Sequence, residues 1–349
     1  MTDLSHILTV AEFEPYARQV LPHSVYEFVA AGAGDEITLR RNQTAYDEIQ
    51  LWPRVFADVT EVRTETNLFG YALSLPLLLA PAAYQGLFCP EGELAPARAA
   101  ARAQIPMILS TNTSNDYRTV KEVSFHPPWF QIYLDPNRTV TEQLVTQIEA
   151  FGCPAFCLTV DTPVLGSRTR QFRAGFDLPP GLSMPHQPNR NLNFADGERL
   201  YGITTLEAIR WLRSVIKGKL LVKGLLHPDD VDPALDAGVD GIIVSNHGAR
   251  NLDTVPTTID VLPLIAEKMA GRAPILVDGG IRRGTDIVKA LGRGANAVMI
   301  GRPYLWAMAV AGSAGVTRCI EILQTELIGT LTLIGRTSVQ SLDRTIEFH

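Results

Sequence analysis

Eight short, largely apolar runs recur along the chain, each followed by a polar or glycine-rich break and then a helix-like stretch. They lie at 77–80, 107–110, 129–133, 155–160, 220–223, 241–245, 275–278 and 297–300. Continuous apolar runs of this length, as opposed to alternating ones, suit parallel strands covered on both faces. Between them, 91–103 is alanine-rich, 140–151 carries apolar residues at helical spacing, and 284–292 and 305–328 read as the last two helices. Thr204 and Glu207 have the spacing of a capping box ahead of 208–212, and Pro228-Asp-Asp opens a helix that Gly238 closes. Eight β-then-α units joined by right-handed crossovers predict an α/β fold, a (β/α)8 TIM barrel.

Two segments fall outside this repeat. Residues 1–60 read as an N-terminal helical extension, with helices at 13–21 and 25–31. Residues 173–205, between units four and five, are rich in Pro, Asn and Gly. A loop of that length leaving the functional end of a barrel strand is read as an active-site lid. The expectation is therefore one barrel domain spanning residues 1–349.

Composition narrows the function classes. Of 349 residues 46% are hydrophobic and 19% charged, enough for a large core, and the net charge of −6 lacks the basic footprint of a nucleic-acid binder. The four cysteines are too few and scattered for a disulfide framework. Cys153 and Cys157 lack the second Cys or His pair of a zinc site, so no metal is expected. No signal peptide, and no uninterrupted apolar run of about 18 residues, is evident. The expected setting is cytoplasmic, without membrane association.

Barrel sites form at the C-terminal strand ends. Those positions carry Ala82, Ser110, Gln131, Tyr133, Thr159, Asp161, Lys223, Ser245, His247, Asp278 and Arg302. Gly279-Gly280 and Gly301-Arg302 follow strands seven and eight, where glycines let backbone N–H groups approach phosphate and Arg282 and Arg302 offer charged partners. The same glycines also suit ordinary tight turns. Gly32-Ala-Gly34 lacks the third glycine and preceding strand of a dinucleotide motif. His247 can accept a proton near neutral pH with Asp161 orienting it, while Arg250 and Arg168 can grip a carboxylate. Taken singly, the histidine also reads as structural and each arginine as a surface ion pair.

Ser245-Asn-His-Gly-Ala-Arg-Asn-Leu-Asp253, with Val277-Asp-Gly-Gly-Ile-Arg-Arg-Gly-Thr-Asp286 and Ile300-Gly-Arg-Pro303, resembles the FMN-dependent 2-hydroxy-acid oxidases and dehydrogenases. Ala80-Pro81, Pro90-Glu-Gly-Glu93, Phe130-Gln-Ile-Tyr133, Leu158-Thr-Val-Asp-Thr-Pro163 and Leu221-Val-Lys-Gly224 match in the same order, so the likeness runs from Tyr16 to Leu342. It implies His247 as the base with Asp161 behind it, Arg168 and Arg250 on the substrate carboxylate, and Tyr133 on the reacting hydroxyl. It implies FMN, with Pro81, Ala82, Ala83, Ser110, Gln131, Thr159, Lys223 and Ser245 around the ring and ribityl chain. Asp278, Gly279, Gly280, Arg282, Gly301 and Arg302 fall at the ribityl and phosphate end. A lysine cation beside the flavin N1–C2=O edge stabilises the reduced ring.

The implied reaction converts an L-2-hydroxy acid to its 2-keto acid, O2 reoxidising the flavin to give hydrogen peroxide. A 2-hydroxy-acid dehydrogenase using a quinone or other acceptor, and an oxidative-decarboxylating variant, are the alternatives. The resemblance also implies a homo-oligomer, a tetramer or octamer. Two departures stand out. Phe28 replaces the carboxylate-binding tyrosine of many relatives, with Tyr26 pointing elsewhere. Asn112 replaces the large aromatic of glycolate oxidase, which widens or polarises the pocket.

Overall fold

A computed structural model describes residues 3–187 and 201–348. Each of the eight apolar runs forms a strand. A short antiparallel hairpin, β1 (Thr66–Leu68) and β2 (Tyr71–Leu73), precedes β3 (Leu77–Leu79), β4 (Ile108–Ser110), β5 (Trp129–Ile132), β6 (Ala155–Thr159), β7 (Lys219–Leu225), β8 (Gly241–Val244), β9 (Ile275–Val277) and β10 (Ala297–Ile300). Strands β4 to β10 pair in sequence order, all parallel, and β10 pairs with β3. A parallel bridge between Leu79 and Met107, with Leu79 N donating to Pro106 O at 3.1 Å, joins β3 to the start of β4. The ring is thereby closed, as the eightfold repeat predicts.

The continuous apolar runs are explained by two separate cores. Successive strand residues point to opposite faces. Leu78, Ile108, Trp129, Ala155, Cys157, Leu221, Ile243, Leu276, Ala297 and Met299 fill the barrel interior. Their neighbours, such as Leu79, Phe130, Phe156, Val222 and Val277, pack outward beneath the helices. The hairpin adds Leu68 and Leu73 to the interior, and its tip residue Phe69 tilts against Trp129 with ring centroids 5.7 Å apart.

The extension supplies α1 (Phe13–Val20), α2 (His23–Ala30) and α3 (Ile37–Asp47). The outer layer comprises α4 (Leu94–Arg102), α5 (Tyr117–Glu122), α6 (Arg138–Ala150), α7 (Thr169–Arg173), α8 (Leu206–Val215), α9 (Val231–Asp236), α10 (Thr258–Met269), α11 (Gly284–Gly292) and α12 (Arg302–Leu333). Helix α3 and the hairpin are additions to the elements read from the sequence. The capping box expected from Thr204 does not form. Thr205 is the N-cap of α8 and its hydroxyl accepts from Ala208 N at 3.1 Å, because extended backbone persists one residue further. Helix α12 is apolar and long enough to cross a bilayer, but Ala311 and Gly312 break it into two helices. Its Leu323, Leu327 and Leu331 are fully buried. Of the expected lid, 173–187 and 201–205 are described, and 188–200 lie outside the described residues.

Leu221 is fully buried in the barrel interior. Leu221→Ala should destabilise the fold by roughly 2–5 kcal/mol, the cost of a lost transfer energy plus a cavity. A lowered denaturant midpoint at unchanged slope checks this.

Candidate active site

The period-two alternation that fills the barrel also sets its upper rim. Two residues beyond the last apolar inward positions come Ser110, Gln131, Thr159, Lys223, Ser245 and Asp278, one from each of six adjacent strands or their ends. Register places Ser110 beside Gln131 and Thr159 beside Lys223. Ser110 Oγ donates to Gln131 Oε1 at 3.1 Å, and Gln131 Nε2 donates to Thr159 Oγ1 at 3.0 Å. Lys223 Nζ donates to Ser245 Oγ at 2.9 Å and lies 3.2 Å from Asp278 Oδ2. Burial alone would lower the Lys223 ammonium, but Asp278 and Asp161 outweigh it and hold it charged. The result is a buried polar floor carrying one cation.

Above this floor stands His247, with Nδ1 2.8 Å from Asp161 Oδ1. Burial would raise the Asp161 carboxyl, yet His247 and Lys223 together keep it below its ordinary value. Asp161 is thus an anion that can only accept, so His247 carries its proton on Nδ1 and presents Nε2 as a base. Two backbone features hold the pair. Gly224, at φ +112°, makes a bulge in β7, and a Cβ there would come 2.5 Å from the Asp161 side chain. His247 and Ala249 lie in the left-handed region at φ 57° and 59°, a cost of about 1–2 kcal/mol each. The turn is secured by Asn246, which exchanges two amide hydrogen bonds with Asn42 of α3 at 2.8 and 2.9 Å. Asn251 Nδ2 donates to Asp161 O at 2.7 Å and Thr162 Oγ1 at 2.9 Å.

Arg168, Arg250, Arg282 and Arg302 line a cavity of about 210 Å³ together with His247, Tyr133, Phe28, Asn112 and every floor residue but Ser245. Among the described residues Arg250, Arg282 and Arg302 make no ion pair. Arg250 Nη1 donates to Val29 O and Ala31 O at 3.1 and 2.9 Å, and Arg302 Nε donates to Val29 O at 2.8 Å. Burial, with Arg168 and Arg302 nearby, pushes the Arg250 guanidinium well down. Burial and Arg282 push Arg302 down to about 10. Buried cations are costly until an anion meets them, so this cavity is built for anionic groups.

The residues fit a flavin mononucleotide. Gly279 and Gly280 have φ 96° and 87°, and a Cβ on Gly280 would overlap Asn42 O at 1.7 Å, so this turn must stay bare. A Cβ on Gly301, by contrast, would point into open space at the start of α12, beside Arg302 and Arg282. One end of the cavity thus offers helix N–H groups and two guanidiniums to a phosphate. Asp278 Oδ1, buried with no partner among the described residues, can accept from a ribityl hydroxyl. Pro81, Ala82 and Ala83 form an apolar wall beyond it. Arg283 does not join the anion site its sequence position beside Arg282 allows, since it pairs with Asp47 and with Asp286.

All the site residues read from the sequence are brought to this one mouth. Phe28 faces it, with the Arg250 guanidinium 5.5 Å above its ring. Tyr26 stacks on Trp306 instead, at 5.2 Å. Three contributors escaped the sequence reading. Phe176 stacks on Phe28 at 4.2 Å, Tyr84 tilts against Phe28 at 6.1 Å, and Tyr201 stacks on Tyr133 at 3.7 Å. None belongs to a quoted motif. Asn251, however, sits inside the most specific one.

A family model described as FMN-dependent dehydrogenase matches residues 17–347. The chain is 43% identical to an L-lactate oxidase from a Nostoc species, covering 98% of each chain. It is 41% identical to a 2-hydroxyacid oxidase from Dictyostelium discoideum, over 98% of this chain and 90% of that one. A crystal structure of mandelate oxidase with (S)-4-hydroxymandelic acid superimposes with a TM-score of 0.91 at 38% identity, covering 97% of this chain and 98% of that one.

His247 is held below its ordinary value of 6.5 by burial and by Lys223 and Arg168, with Asp161 opposing them. The ring should therefore titrate below 6.5, and Asp161→Asn, which removes the opposing anion, should move it further down. Imidazole NMR shifts across pH check both, and an upward shift in the variant would contradict the assignment.

Proposed function

The chain belongs to the FMN-dependent dehydrogenase family, and from that membership we propose that it is an oxidase converting an L-2-hydroxy acid to the 2-keto acid. FMN is its cofactor and, when bound, would accept the two electrons and, together with His247, the two hydrogens that the substrate loses; dioxygen would take those electrons with two protons and be released as hydrogen peroxide. The observation that carries this reading is a neutral, carboxylate-oriented histidine facing buried guanidiniums in one cavity. Relatives named as oxidases support an oxygen acceptor over a quinone.

Each residue has a definite task. Arg250 and Arg168 hold the substrate carboxylate, which gives Arg250 the counter-ion it lacks among the described residues. Arg168 is itself aimed by donating Nε to Arg250 O at 3.0 Å. Tyr133 bonds the reacting hydroxyl; burial, Tyr201 and Asp161 raise its phenol well above the usual range, so it stays a neutral donor. His247 Nε2 takes the proton released as C–OH becomes C=O, and Asp161 steadies the imidazolium that results. Lys223, held charged on the cavity floor, would offer its charge to a bound flavin ring. Phe28 cannot hydrogen-bond the carboxylate, so its anchoring rests on the arginines and Tyr133.

A cytoplasmic setting and a homo-oligomer are part of the proposal. Cys89, Cys153, Cys157 and Cys319 are free thiols, which suits a reducing compartment. Trp52, Val55, Phe56, Leu333 and Phe348 are exposed, and Trp52 meets Phe348 edge-on at 5.3 Å, an apolar patch suited to a second copy. Phe56→Asp should lower the mass measured by light scattering, and an unchanged mass would remove this patch from the contact.

Anaerobic mixing with L-2-hydroxy acids should bleach the bound flavin, and admitting oxygen should restore it with one peroxide per turnover. Bleaching without reoxidation by oxygen would favour a quinone-linked enzyme instead. His247→Gln should retain FMN yet slow bleaching by about 10²–10⁴-fold. Because protonation removes the base, kcat/KM should fall as pH drops through a value below 6.5, not at neutrality. Arg250→Lys, which loses the paired guanidinium geometry, should lower kcat/KM by about 10²-fold.

A further inference from the structure

Strand order fixes where a substrate's third substituent must go. The carboxylate grip comes from loops after β6 and β8, carrying Arg168 and Arg250, and the proton acceptor His247 also follows β8. With the carboxylate drawn to that side and the hydroxyl between Tyr133 and His247, the remaining substituent faces the opposite arc. That arc is formed by the loops after β3 and β4, with Tyr84 and Asn112. Asn112 is only 6% exposed and lines the same cavity.

The placement of Asn112 is rigid. Its N–H donates to Ser110 Oγ at 3.1 Å, and its carbonyl accepts from Tyr84 N at 2.8 Å. The side-chain Nδ2 donates to Tyr201 Oη at 2.9 Å, while Oδ1 is buried with no hydrogen-bond partner among the described residues. A buried amide oxygen left unmet is costly, and such groups in native proteins call for an explanation. Tyr201 accounts for the amide nitrogen but leaves the amide oxygen unexplained.

We infer that Asn112 is a specificity-determining residue that hydrogen-bonds a hydroxyl on the carbon next to the reacting one, making 2,3-dihydroxy acids the preferred substrate class. This rests on the function proposed above. An alkyl substituent would leave the amide unmet. A hydroxyl can donate and accept, so it satisfies whichever end of the amide Tyr201 does not engage. A site built to bond a hydroxyl also discriminates against an analogue lacking it far better than an apolar pocket separates two alkyl groups.

L-Glycerate and L-lactate differ only by that hydroxyl and serve as probes in anaerobic flavin reduction. The wild-type second-order constant should be about tenfold larger for glycerate. Asn112→Leu should remove about tenfold from the glycerate-to-lactate ratio, whereas Tyr201→Phe, which removes only the phenol holding the amide, should leave the ratio within about twofold. Reduction by lactate as fast as by glycerate in the wild type overturns the inference and leaves the oxidase reading standing. So does an unchanged ratio in Asn112→Leu, or an equal loss in Tyr201→Phe. Reduction by no 2-hydroxy acid removes the reading on which it rests.

Discussion

Closing eight parallel strands into a ring gathers the inward-facing residues at their C-terminal ends around one rim level. Below that level the ring must be filled by apolar side chains, because no water reaches it. At that level the packing constraint ends and the polar chemistry begins. Cys157 and Thr159 of β6, or Leu221 and Lys223 of β7, show the change within two residues of one strand. Every later feature inherits this arrangement. The floor is rigid because its donors and acceptors are bonded across neighbouring strands, and it is dry because the layer beneath is close-packed.

The charge balance at the mouth runs opposite to the chain as a whole. A protein with net charge −6 concentrates Arg168, Arg250, Arg282, Arg302 and Lys223 around one cavity. Asp161 and Asp278 answer part of this charge, and both are engaged with His247 and Lys223. Arg250, Arg282 and Arg302 lean on backbone carbonyls, which offset desolvation only in part. Ligand anions therefore complete the electrostatics of the folded state, and their binding adds to its stability by mass action.

What was legible in the sequence follows from which contacts are local. The strands could be read because their apolar runs are uninterrupted, and the rim because alternation carries each run onto its polar end. Helix α3 could not be read in this way. Its buried residues are Thr38, Asn42, Ala45 and Tyr46, which form no apolar stripe. It is held by Asp253, whose carboxylate accepts from Ile37 N and Thr38 N, and by the paired amides of Asn42 and Asn246. These partners lie more than 200 residues away along the chain, beyond any periodicity. Tyr201 and Phe176 were missed for a related reason. Each is an isolated aromatic in irregular chain, and only the folded arrangement sets it against Tyr133 or Phe28.

The carbonyl groups at the end of α2 have a wider significance. Val29 O and Ala31 O are shared between Arg250, on the carboxylate side, and Arg302, on the phosphate side. The barrel's site is thus not self-sufficient without the first helices. Cut away the extension and the strands would keep their hydrophobic filling, but Arg250 and Arg302 would lose their common acceptors, and Arg302 would keep only Gly248 O. In evolutionary terms, the amino-terminal helices and the loops after β8 and β10 form one inheritable unit. A change in the path of either one moves the acceptors or the donors of the same hydrogen bonds.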